Sequence, residues 1–204
     1  MYAARRELPD ASSIDQRVHM HDVSWQAYEA LVTWRGERAV PRLTYLEGEL
    51  ELMTPSPDHE TQKKTLARLI EAFADAMDIS LDGVGSWTVK QRDVERGAEA
   101  DECYILGSAR KRPAAPDIAI EVVWTRGGID KLEVWRKLGA REVWIWSHGT
   151  LTFHALHGER YAVVKRSKLL PKLDPDLIVR CMGCDTQREA VRMLRGALRP
   201  KRGR

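Results

Sequence analysis

The sequence predicts a mixed α/β fold, a β-sheet core flanked by helices, and three observations predict it. A long stretch opening at Pro57 places Leu66, Leu69, Ile70, Phe73 and Met77 at spacings of three and four, the stripe of an amphipathic helix. From Gly85 the pattern changes to short apolar or period-two runs, the signature of strands. A short helical pattern over 129–138 then interrupts those runs before more strands follow. Helix, strands, helix and strands in that order call for a mixed sheet with helices on its faces.

Taken in order, residues 1–22 read as a loosely structured N-terminal segment. A first helix follows at about 23–36, with Val23 or Ser24 at its start, Trp25, Tyr28, Leu31, Val32 and Trp34 as its apolar side, and Gly36 as its stop. Arg42–Met53 alternates around Glu47-Gly48-Glu49 and predicts a hairpin or bent strand pair. Thr54-Pro55-Ser56-Pro57-Asp58 breaks it and opens the helix at about 57–77, with His59 near its start on the buried-facing stripe. Gly85–Arg92, Ala100–Leu106 and Asp117–Trp124 are the next three strands. In the third, Ile118, Ile120 and Val122 face one side while Ala119 and Val123 face the other, so it is a central strand covered on both faces. Leu132, Trp135 and Leu138 mark the helix at 129–138, which Gly139 ends. Glu142–Trp146, Leu151–Leu156 and Tyr161–Arg166 are further strands, and 175–198 is helical. The division is therefore residues 1–22, a single domain over 23–184, and a basic C-terminal helix and tail over 185–204.

Composition sets limits on the function. With 43% apolar and 31% charged residues in 204, the chain is that of an ordinary soluble protein with a sizeable core. No run approaches the roughly 20 apolar residues of a membrane span, and MYAARRELPDASSIDQ has no apolar h-region, which points to the cytoplasm. Cys103, Cys181 and Cys184 are too few for a disulfide framework, and one CxxC offers two of the four ligands a structural zinc takes. The net charge of +3 is unevenly spread: residues 185–204 carry seven basic and two acidic side chains, so the rest of the chain is net acidic. Arg188, Arg192, Arg195 and Arg199 recur at spacings of four, three and four, one helical stripe able to meet a polyanion such as DNA; a merely solubilising end is the alternative.

Two acids fall inside or beside apolar strands. Asp101 precedes Cys103-Tyr104-Ile105-Leu106, and Glu121 sits within Ile118-Ala119-Ile120-Glu121-Val122-Val123. An ionised carboxylate there is costly unless paired or metal-bound. Two on neighbouring strands can converge on one hard divalent cation, which takes oxygen ligands. The competing reading is a buried salt bridge, with Lys131 or an arginine as partner. Lys131 itself is either a surface lysine or an ammonium near the attacked phosphate.

Several segments come in an order that matches a known pattern: Leu46-Glu47-Gly48-Glu49-Leu50, Met53-x-Pro55-x-x-x-His59-Glu60, Gly97-Ala98-Glu99-Ala100-Asp101, Pro116-Asp117-Ile118-Ala119-Ile120-Glu121-Val122, and Asp130-Lys131-x-x-x-Trp135-x-x-x-Gly139-x-x-Glu142-x-Trp144. Together, from about residue 40 to about 180, they resemble the Uma-two family of restriction endonucleases in the PD-(D/E)XK nuclease superfamily. The resemblance implies a restriction-endonuclease-like mixed β-sheet core flanked by helices. It also implies a magnesium or manganese ion held by Asp101, Glu121 and the carbonyl of Val122, with Glu49 and His59 in support. The superfamily places a lysine two residues after the Glu, where this chain has Val123; the family's lysine in the following helix maps to Lys131. The implied activity is hydrolysis of DNA phosphodiester bonds, with any sequence preference drawn from loops such as Gly107–Ala115 with Arg110, Lys111 and Arg112, and with a homodimer supplying two active sites. The rival is a nucleic-acid-binding or regulatory protein that kept the fold and lost turnover.

Overall fold

The computed structural model describes residues 14–110, 113–123 and 128–199. In chain order the elements are β1 (Gln16–Met20), α1 (Trp25–Arg35), β2 (Arg42–Leu46), β3 (Glu49–Thr54), α2 (Pro57–Ala76), β4 (Leu81–Gly83), β5 (Thr88–Gln91), β6 (Arg96–Glu99), β7 (Glu102–Leu106), β8 (Ile118–Val123), α3 (Lys131–Leu138), β9 (Glu142–Ser147), β10 (Thr150–His157), β11 (Arg160–Val164), α4 (Pro175–Met182) and α5 (Gln187–Leu198). The expected mixed β core flanked by helices is present, divided into two sheets. The first has the order β1-β3-β2-β6-β5 and is antiparallel; the second has the order β11-β10-β9-β8-β7-β4, with β8 and β9 parallel. The parallel pair is joined through α3, since parallel neighbours need a crossover.

Local chemistry explains where the helices begin and end. Ser24, Ser56, Asp130, Asp174 and Thr186 each accept a backbone N–H of the following turn through the side chain, the ordinary N-cap bond. Gly139 closes α3 in the left-handed region (φ 89°). The β2–β3 hairpin turns on Glu47-Gly48, both at positive φ (45° and 95°), as a two-residue turn between antiparallel strands demands.

The structure corrects the sequence reading at several points. Residues 16–20 form β1, paired along β3, where a loosely structured segment was expected; residues 1–13 lie outside the described residues. Ala100–Leu106 is not one strand. An extended stretch leaves the first sheet as β6 and enters the second as β7, and Ala100-Asp101 links them. The C-terminal helical stretch is two helices, because Thr186 caps a new one after Gly183. Trp124, Lys111, Arg112 and the tail from residue 200 lie outside the described residues.

Three apolar clusters hold these layers. α2, α4 and α5 cover one face of the second sheet through Leu66, Leu69, Phe73, Ile120, Trp144, Phe153, Ile178 and Leu194. α3 packs between the sheets with Val134, Trp135 and Leu138 against Ala98, Ala100, Cys103 and Ala119. α1 covers the first sheet through Trp25 and Tyr28 on Leu43, Tyr45 and Leu50. Val122 and Ala119 therefore pack on opposite faces of β8, as alternation requires. Among the described residues no helix is long and apolar enough to cross a membrane.

Candidate active site

Asp101 and Glu121 meet across the join of the two sheets. β7 pairs antiparallel to β8 with Glu102 opposite Ile120, and the Asp101 N–H, one residue ahead of β7, donates to the same Ile120 carbonyl at 3.0 Å, which holds Asp101 beside the β8 residue that precedes Glu121. Both acids are buried, and both line a cleft of about 170 Å³ with Arg17, Met53, Val122, Val123, Asp130 and Lys131 among its walls. Each carboxylate is held by a neutral donor. The Val122 N–H donates to Asp101 Oδ2 at 2.5 Å, and Trp135 Nε1 donates to Glu121 Oε1 at 2.6 Å. The helix that follows β8 thus orients the acid that β8 carries.

The other oxygen of Asp101 faces an arginine and a histidine ring. Arg42 Nη1 and His59 Nε2 (2.9 Å) both reach Oδ1. Arg42 lies on β2, on the face that also carries Thr44, and its other nitrogen bonds Glu60 at 2.5 Å. His59 is fully buried in the first turn of α2, where Ser56 caps its N–H. Its Nδ1 faces Asp15 Oδ2 at 3.0 Å, and Asp15 also accepts from the Ser56 N–H. Burial alone pushes the Asp15 carboxyl up, but bonds from the His59 ring and Ser56 outweigh it and hold it at about 2. His59 therefore bridges two acids that lie 86 positions apart in the chain, numbers 15 and 101.

Lys131 reaches into the same cleft. Its Nζ donates to Thr44 Oγ1 at 2.5 Å and stands 3.8 Å from Glu121 Oε2. Asp130 caps α3 as its position suggests, and Glu133 pairs with Arg136 and Arg96, not with Lys131. Val123 presents an isopropyl group to the cleft. Cys103, on the Asp101 side of β7, is buried, and burial with the nearby Glu121 and Glu102 charges pushes its thiol far up, which keeps it a neutral packing group.

The structure moves one predicted residue away. Glu49 lies at the hairpin end of β3, half-exposed, with Oε2 on His21 Nδ1 at 2.6 Å. Glu51, two positions further along the same strand face, is the buried acid here, 1% exposed, with Oε2 3.3 Å from Arg17 and 3.2 Å from His19. Asp15, Arg17 and Arg42 had no sequence signal of their own: strand pairing carries Arg17 to the cleft and Arg42 to Asp101, and Asp15 reaches His59 from just ahead of β1. Arg188, Arg192 and Arg195 of α5 are exposed, as is Arg199, which lies just past the helix in extended backbone, while Ala190 and Leu194 are buried and Val191 and Leu198 pack beside them, so the helical stripe faces solvent and holds three of the four arginines. Lys90 pairs with Glu29 on the surface, remote from these acids in partner terms.

Comparison with known proteins gives three findings. Among solved structures, the one described as "Crystal structure of a putative nuclease belonging to DUF820 from Anabaena variabilis ATCC 29413" is 13% identical, with a TM-score of 0.46 over 76% of this chain and 92% of that chain. Among curated proteins none matches. The family model "Uma2: Putative restriction endonuclease" matches residues 25–184, which takes in every helix and strand from α1 to α4 and leaves β1 ahead of it and α5 behind it. The chain belongs to the Uma2 family.

Proposed function

We propose that this chain is a metal-dependent endodeoxyribonuclease that hydrolyses DNA phosphodiester bonds in the cleft between β8, α3 and the first sheet. The observation that carries the reading is the pair Asp101 and Glu121, two buried acids lining one cleft with Lys131. Family membership supports the same class of chemistry.

The donor set fits magnesium or manganese. Carboxylate oxygens are the ligands hard divalent ions take, and a carboxylate has more lone pairs than the bonds described above consume. Among the described residues no group of three or more His, Cys, Asp or Glu side chains is gathered for a metal, so two carboxylates would hold the ion, with water and substrate completing the shell as is usual for magnesium. Bound there, the cation would supply charge neutralisation at the phosphate and a more acidic water. The chain's own groups do the rest. Val122 N–H and Trp135 Nε1–H fix the two acids, and the Lys131 ammonium meets negative charge that grows on the phosphoryl oxygens. A water oxygen bonds to phosphorus as the bridging ester bond breaks, and the departing oxygen takes up a proton. Arg188, Arg192, Arg195 and Arg199 add sequence-independent affinity for the DNA backbone. A homodimer in the cytoplasm, one site for each strand, completes the reading.

One observation favours a second reading, binding without turnover: the Arg42 guanidinium sits on Asp101 Oδ1 and neutralises a carboxylate the ion would need. Incubation with supercoiled plasmid in magnesium, manganese or chelator decides. Nicked or linear product in either metal and none in chelator supports the nuclease. Plasmid that is retarded but left supercoiled in both metals supports the second reading. Plasmid neither bound nor cut removes both.

A further inference from the structure

The cleft holds a cation that the reading above leaves unused. Arg17 lies on β1, whose register sets it opposite Met53 and sets His19 opposite Glu51. Glu51 in turn faces Thr44 across β3 and β2, and Thr44 is the hydroxyl that binds Lys131. One face of the first sheet therefore carries Arg17, Glu51 and Thr44 towards α3, and Arg17 lines the cleft together with Asp101, Glu121 and Lys131. Two buried acids fix its direction: Nη1 is 3.3 Å from Glu51 Oε2, and Nη2 is 3.6 Å from Asp15 Oδ2.

Two further facts set this ion pair apart from ordinary surface pairing. Glu51 is 1% exposed and its Oε1 has no hydrogen-bond partner among the described residues, a costly state for a carboxylate and one that calls for a reason. Gly128, just ahead of α3, has a φ of +116°, and a Cβ there would stand 2.6 Å from both Arg17 Nη1 and Glu51 Oε2. The backbone entering α3 passes directly against the pair, which holds the guanidinium at the wall of the cleft.

We propose that Arg17 is a substrate-binding residue that receives the oxygens of a phosphate group in this cleft, with Glu51 and Asp15 as the acids that position it. The proposal rests on the phosphodiester reading and names a residue for it. A planar guanidinium matches two phosphate oxygens with paired N–H donors, which a lysine does not. At about 170 Å³ the cleft is smaller than the ~300–1,000 Å³ of ordinary ligand pockets, so it suits a phosphate and not a whole nucleotide. Val123 supplies no charge, so Arg17 and Lys131 are the cations among the residues lining it.

The test uses the full chain with inorganic phosphate in magnesium, followed by phosphorus NMR line broadening, and cleavage of supercoiled plasmid by the same preparations. Arg17→Gln alone would leave buried Glu51 with His19 as its one described partner, so the informative variants are Arg17→Gln with Glu51→Gln, and Arg17→Lys. The double variant is expected to bind phosphate at least about tenfold more weakly, the worth of one charge-assisted bond, with Arg17→Lys between it and the parent. Unchanged affinity in the double variant, or no phosphate binding by the parent, overturns the proposal. If the double variant does not fold, unchanged affinity in Arg17→Lys overturns it. Cleavage reports separately. A parent that cuts plasmid while phosphate binding ignores Arg17 leaves the nuclease standing without this contact. Arg17-dependent phosphate binding with no cleavage leaves the contact and removes the nuclease.

Discussion

Glu142 and the Asp101/Glu121 pair are buried to a similar degree, 1% exposed against 2% and 5%, and all three belong to the second sheet or its edge. Their surroundings differ in kind. Glu142 Oε2 accepts from Trp144 Nε1 and Ser167 Oγ, both at 2.7 Å, and Oε1 accepts from the backbone N–H of Lys168 (2.6 Å) and Leu169 (3.1 Å). Every donor is neutral, and the acid pins the segment that leads from β11 to α4. Asp101 and Glu121 instead have one neutral donor each and then face Arg42, His59 and Lys131 beside a cleft. Burial of an acid in an apolar strand therefore does not identify a reactive one. What sets the two sites apart is the charge of the partners and the opening beside Asp101 and Glu121.

The comparison is tested most severely at Asp101. Asp101→Asn is expected to remove metal-dependent plasmid nicking by at least about a thousandfold, some 4 kcal/mol of barrier. Removing a buried charge without other effects would leave the thermal transition unchanged or slightly raised. The structure reverses that sign, since Arg42 and His59 both lean on this carboxylate. The melting point should fall, though by less than the ~3–5 kcal/mol of a broken buried pair, because Glu60 still neutralises Arg42. Full nicking activity in the folded variant would end the assignment of the cleft.

Glu142→Ala is the mirror experiment. It strands four donors at once, so urea denaturation should show a loss of about 3–5 kcal/mol, while the turnover of the molecules that remain folded stays at the parent value. A variant that keeps its stability and loses turnover would place Glu142 with the reactive acids and break the comparison.

How much of this was open to the sequence depends on the range of the interactions. The hairpin at Glu47-Gly48, the capped helices at Ser24, Ser56 and Asp130, and the central strand at Ile118–Val123 are written in neighbouring residues, and each forms where expected. β1, β4 and β6 are not. Gln16–Met20 has no clean alternation, Leu81–Gly83 has three residues and Arg96–Glu99 contains Gly97, so each is extended because its partner is. The acids show the same division. Asp101 and Glu121 stand out as charges beside apolar runs, whereas Arg17 reaches the cleft through the pairing of β1 with β3, and Asp15 reaches His59 from just ahead of it. Glu49 and Glu51 share a strand face, so alternation has no means of choosing between them; the hairpin end exposes the first and buries the second.

Lys131→Met sharpens the cleft half of the comparison by keeping the apolar stem and removing the charge. Its Nζ lies 3.8 Å from Glu121 Oε2, close enough that one water or phosphoryl oxygen spans the site. Nicking should slow by about a hundredfold, the effect of one lost electrostatic donor, while manganese affinity measured by calorimetry stays within a few fold. Cleavage at the parent rate would make Lys131 a structural partner of Thr44 alone.

The smallest expected effect lies at Asp15, which is sealed like Glu142 yet belongs to the reactive side through His59. The groups that face it are His59, Ser56 and Arg17; burial pushes its carboxyl up, but the bonds from His59 and Ser56 outweigh that and hold it at about 2 against an ordinary 3.8. A carboxyl depressed on folding contributes stability that is fully present above its unfolded value and lost as the pH falls through the folded one. The contribution here, on the order of 2 kcal/mol, is therefore complete above about pH 4 and gone near pH 2. In Asp15→Asn it should be missing already at pH 6, and stability should fall less steeply between pH 4 and pH 2, so that the two curves converge at the acid end. Because Asp15 touches the cleft through His59 and Arg17, nicking should slow by less than in Lys131→Met. Stability curves that stay parallel from pH 6 to pH 2 would show that the His59 bridge carries no charge coupling, and the acid limb of the parent would then belong to another carboxylate.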